Sequence, residues 1–134
     1  MIKDIDFKKV EGLAMAAVKQ QDEGGEPVWK VYLLNLKTTA IESVLVRSRG
    51  YGKKDNQEIK TSELRQFFER IEAQQFVEVE ILTEELLALH NQFWISFSHG
   101  GFLYDKKYVF LAETIRADFF TDIPLLNEQG VMIK

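Results

Sequence analysis

Residues 28–51, VWKVYLLNLKTTAIESVLVRSRGY, decide the fold class. Trp29, Val31 and Leu33 alternate with Lys30, Tyr32 and Leu34, and Val44 and Val46 repeat the two-residue period further on. That period, in residues rich in β-branched and aromatic side chains, is the signature of strands with two distinct faces. The polar link Lys37-Thr38-Thr39 reads as a turn that lets the second strand pair with the first. The expectation is an antiparallel β protein.

Outward from this stretch the pattern continues. Residues 13–20 are apolar or small at both alternating positions, which suits a strand covered on both sides, or a short Ala-rich helix. The cluster Asp22-Glu23-Gly24-Gly25-Glu26-Pro27 that follows favours a hairpin. Residues 49–60, with Gly50, Gly52, Asp55 and Asn56, read as a polar and mobile loop. Residues 62–71 stay open. Leu64, Phe67, Phe68 and Ile71 have helical spacing behind a capping Ser62, but the β surroundings fit a strand equally well. In residues 76–82, Val77, Val79 and Ile81 alternate with Glu78 and Glu80, so one buried and one wet face are expected. Thr83, Glu84 and Glu85 open a helix of one or two turns. Residues 92–98 and 107–111 are further strands around a turn at His99-Gly100-Gly101, and residues 130–133 read as a last edge strand.

Short strands without βαβ alternation point to a mostly β, single-domain antiparallel β-sandwich over residues 1–134, with one or two short helices. The order of features is similar to that of immunoglobulin-like sandwiches without their disulfide. A small β-barrel is the alternative.

The 134 residues suffice to bury roughly two-thirds of the surface of the unfolded chain. There is no Cys, which removes disulfides, thiolate zinc sites and a Cys nucleophile and suits a reducing cytoplasm. Charged residues interrupt the first 20 positions, so no signal peptide is expected there, and no apolar run reaches the roughly 20 residues of a membrane span. A soluble, cytoplasmic protein is expected. The net charge of −4 argues against a general nucleic-acid binder without excluding a local basic patch.

Groups with catalytic potential are few. His90 and His99 fall at opposite ends of an expected strand, about 30 Å apart, too far to share a metal ion within one protomer. No metal site and no cofactor is expected. Ser98-His99-Gly100-Gly101 is faintly like the glycine-rich oxyanion loop of lipases, but G-x-S-x-G is absent and a glycine turn explains it. Gly50-Tyr51-Gly52 lacks the rest of a phosphate-binding fingerprint. Glu78 and Glu80 would project from one strand face roughly 7 Å apart, a spacing compatible with acid–base work but ordinary for a wet strand face. Asp4 and Asp6 read as solvent-exposed. No catalytic residue is assigned, and the chain reads as non-enzymatic.

The cluster that merits a binding test is Arg47, Arg49, Tyr51, Lys53 and Lys54. Two arginines share one face of a strand end, and the charge continues along residues 51–54. Neighbouring Asp55 and Glu58 partly cancel it.

Four segments carry a resemblance: V-x-x-x-x-x-A-A-V from Val10, W-x-V-Y-L-x-N from Trp29, V-L-V-x-S-x-G-Y from Val44, and I-E-A-x-x-F-x-x-x-E from Ile71. Together they resemble a family of short uncharacterised bacterial proteins, some labelled phenylalanyl-tRNA synthetase alpha subunit. A class II synthetase core needs a longer chain and an ATP-binding arginine motif, so the resemblance implies a relative rather than an activity. The expected function is a protein-interaction module with a protein partner, self-association through edge strands included. Binding of an anion or nucleic acid through residues 47–54 is the alternative.

Overall fold

The computed structural model describes residues 9–134; Asp4 and Asp6 lie outside the described residues. Strands β1 (Leu13–Gln21), β2 (Pro27–Asn35), β3 (Ile41–Lys54), β4 (Gln57–Lys60), β5 (Leu64–Ile71), β6 (Gln75–Leu82), β7 (His90–His99), β8 (Phe102–Phe110), β9 (Thr121–Ile123) and β10 (Glu128–Ile133) form two antiparallel sheets. The first has the order β6-β2-β1-β10-β9. In the second, β3 pairs with β5 along its first half and β4 along its second half, and β7 and β8 follow on its other side. The sheets do not close into a barrel, so the sandwich holds and the barrel alternative falls.

Alternation builds the core. Met15 and Ala17 of β1, Val31 and Leu33 of β2, Val44 and Val46 of β3, and Phe93, Ile95 and Phe97 of β7 meet between the sheets. The other side of β1 is buried too. Ala14, Ala16 and Val18 pack with Leu34, Ile123 and Leu126, which explains a strand apolar at every position. Gly130 in β10 leaves room for this packing: a Cβ there would lie 2.5 Å from the Ala17 carbonyl oxygen. The β1–β2 hairpin turns where Asp22 Oδ1 accepts from the Gly24 and Glu26 amides.

Several expectations need correction. β2 and β3 do not pair; the link through Lys37-Thr38-Thr39 carries the chain from one sheet to the other. The buried Asn35 holds that corner. Its Nδ2 donates to the carbonyls of Thr39, Ile71 and Glu72, and its Oδ1 accepts from the Lys37 amide. Residues 62–71 form no helix, because β5 lies in register along β3 from Ile41↔Ile71 to Ser48↔Leu64. Residues 49–60 are no loop. β3 runs on to Lys54 and reverses at Asp55 and Asn56, whose φ angles of 53° and 64° are those of a two-residue hairpin turn. Residues 130–133 are the end of β10: β9 pairs only as far as Gly130, and Val131, Met132 and Ile133 pair with β1 alone, so this end is an edge as expected. The segment after Thr83 is a short 3-10 helix, Glu84–Ala88, without a side-chain cap bond.

β6 contains a bulge. Val31 pairs with Glu80 and Tyr32 with Glu78, so Val79 is the extra residue. Beyond it the two faces exchange. Val77 and Val79 pack into the core, Ile81 is exposed, and Glu80 turns inward. Glu78 stays outside near Lys30, 3.4 Å away, so the two carboxylates do not share a face.

Candidate functional site on the outer face of the second sheet

Odd-numbered residues of β3 from Leu45 to Lys53 lie on the side away from the core, while Val44, Val46 and the buried Ser48 and Gly50 lie on the core side. Arg47, Arg49, Tyr51 and Lys53 therefore share the outer face, and Lys54 points the other way. The basic feature expected as a loop is a strand, which fixes the spacing of its side chains.

Register brings other residues to it. Arg65, Arg47, Trp94 and Lys107 lie opposite one another across β5, β3, β7 and β8. With strands about 4.8 Å apart, that row spans about 14 Å. The Arg47 guanidinium sits over the Trp94 ring, 4.9 Å from its centroid, and Arg49 sits 5.9 Å from Tyr51. Both are cation–π distances. Trp94 Nε1 donates to Asp105 Oδ1 at 2.7 Å, which fixes the indole plane. Arg65 pairs with Glu63 at 2.9 Å on the surface, where such a pair contributes little. Arg47, Arg49, Glu63, Gln92 and Trp94 line a shallow hollow of about 160 Å³. Phe67, opposite Leu45, and Leu103, opposite Ser98, add large exposed apolar side chains.

Further along β3 the ring of Tyr51 lies 5.2 Å from that of His90. Tyr51, Lys53, Glu58, Lys60 and His90 border an open depression of about 610 Å³. His90 Nδ1 accepts from the Ala112 amide at 3.0 Å, and His99 at the other end of β7 bonds Thr39 Oγ1 at 2.6 Å. Among the described residues no three His, Cys, Asp or Glu side chains gather as metal ligands.

Sequence reasoning missed Trp94, Arg65 and Lys107 as members of this face. Trp94 left a signal: it is the large aromatic on the otherwise polar side of a strand whose other side is Phe93, Ile95 and Phe97. Arg65 and Lys107 left none, because only pairing register places them beside Arg47. Among the described residues no helix is long and apolar enough to cross a membrane. No protein-family model matches the chain, and no curated protein is similar to it.

Proposed function

We propose that the chain is a non-enzymatic protein-interaction module whose partner docks on the outer face of the second sheet. The observation that carries this reading is the row Arg65–Arg47–Trp94–Lys107, with Arg47 stacked on a Trp94 that Asp105 holds in place. Trp, Tyr and Arg dominate binding energy at protein interfaces, and a pre-oriented indole costs little further ordering. Exposed Phe67 and Leu103 frame the row with apolar area. The test is site-specific photo-crosslinking in cells. A benzophenone side chain at Phe67 should capture a discrete partner that one at exposed Phe119, near the β8–β9 connection, does not. Equal capture from both positions, or none from Phe67, contradicts the reading.

A second reading is single-stranded nucleic acid, favoured by Lys53, Lys60, Tyr51 and His90 around one depression beside Arg49. Cations that track a backbone beside rings that stack on bases are the usual means of such binding. It predicts salt-sensitive binding of a labelled oligonucleotide, weakened about tenfold in Arg49→Ala. Absence of binding at low salt eliminates it.

The resemblance to short bacterial proteins and the lack of Cys support a bacterial, cytoplasmic setting. What supports an immunoglobulin-like layout is the strand order: β1-β2-β6 and β3-β7-β8 follow the neighbour relations of strands A-B-E and C-F-G in that fold.

A further inference from the structure

Glu80 stands apart from the face just described. The bulge at Val79 turns it between the sheets, where its Oε1 accepts from Ser48 Oγ at 2.7 Å. It borders a cleft of about 210 Å³ with Gly50, Thr61, Leu64, Leu82, Leu86 and Asn91. Gly50 keeps the cleft open, since a Cβ there would stand 3.2 Å from Thr61 Cγ2 and 3.4 Å from both Asn91 Oδ1 and Leu89 Cδ1. Arg49 reaches the rim, but its guanidinium lies over Tyr51 on the outer face. Among the described residues the ion-paired cations are Lys19, Lys30, Arg65, Arg70 and Arg116, and none of them pairs with Glu80. A half-buried carboxylate whose one hydrogen bond comes from a neutral hydroxyl is only partly compensated, and a cation in the cleft would complete it. The walls are aliphatic and the space is small, so the cation must be compact and carried on a short apolar stem.

We propose that this cleft binds a primary ammonium on a short aliphatic stem, with Glu80 as the anion that receives it. The stem would lie against Leu64, Leu82 and Leu86. A free alkylamine and the end of a partner's lysine side chain carry the same group, and both fit this chemistry. The site is independent of the outer-face docking surface, since it uses the opposite side of β3.

The test is titration of the full chain by NMR with n-butylammonium, with Nα-acetyl-lysine methylamide, and with butan-1-ol as the neutral analogue. Amides of Thr61, Leu82 and Leu86 should shift with at least one amine, and that amine should bind about tenfold more tightly than butanol, the effect of one charge-assisted hydrogen bond. Tighter binding of the lysine derivative assigns the site to a protein side chain; tighter binding of butylammonium assigns it to a free amine. Glu80→Gln should reduce the affinity to that of butanol, and Gly50→Ala should weaken both amines by narrowing the floor. Equal binding of butanol and the amines by the wild-type chain overturns the proposal, as does no binding of any probe. The wild-type comparison of charged and neutral ligands decides the matter even where a variant fails to fold.

Discussion

Tyr108, buried, and Glu80, half-buried, carry polar groups that the core matches poorly. The Tyr108 hydroxyl is buried, and no described protein group hydrogen-bonds it. Burial pushes the phenol up to about 12, so it stays protonated at physiological pH. Tyr108→Phe removes a donor that has no acceptor, so it should be neutral to stabilising by about 1 kcal/mol in chemical denaturation. A clear loss of stability would mean that the hydroxyl has a partner. Burial also raises the Glu80 carboxyl above the ordinary glutamate value, with the Ser48 hydrogen bond acting in the opposite direction. The folded chain therefore holds this proton to higher pH than the unfolded chain does. The stability linked to it is fully present below the unfolded value and is lost as pH rises through the raised folded value. Glu80→Gln has no such proton. Its thermal midpoint relative to wild type should rise across that window and level off above it, and a difference independent of pH would contradict the assignment. Asn35 is the opposite case, a buried amide with every polar atom used. Asn35→Ala leaves carbonyls at the inter-sheet corner without their donor and should cost about 3 kcal/mol, measured as a lower urea midpoint.

At the level of elements, β8 is an edge of the second sheet, yet Lys106 lies on its core-facing side. Opposite Ile95, it sends its ammonium over the Tyr108 ring at 4.9 Å. An inward-pointing charge on an edge strand hinders pairing with another chain. Lys106→Val should shift the protein toward larger species in size-exclusion chromatography with light scattering; an unchanged profile would assign edge protection elsewhere. Most strands were legible from the two-residue period; two apolar faces left β1 open between a strand and an Ala-rich helix, and the turn cluster and strand that follow it were what favoured a hairpin. The phase of β6 was not. Val77, Val79 and Ile81 alternate without a break in the sequence, and only pairing with β2 shows the bulge that exposes Ile81 and turns Glu80 toward Ser48. β5 was ambiguous because the spacing of Leu64, Phe67, Phe68 and Ile71 fits a helix, and its long-range partner β3 decides the matter. Asp55 and Asn56 carried a turn signal, but the polar residues around them masked two strands that meet there.

For the whole molecule, one sheet is packed on both sides over much of β1 and β2, while the other leaves its outer face uncovered by any described element. That asymmetry gives the chain an open face on which pairing register sets the arrangement of Arg47, Arg49, Trp94, Arg65 and Lys107, on a protein of net charge −4. The strand end was readable as a basic cluster; the face was not, since it is assembled from four strands far apart in sequence. The direct test of this account is quantitative affinity capture with the wild-type chain and with folded Trp94→Ala, compared protein by protein. The account predicts at least one partner retained by wild type and reduced about tenfold or more by the variant, as expected when an interface anchor is removed. Identical captured sets from the two chains would contradict it.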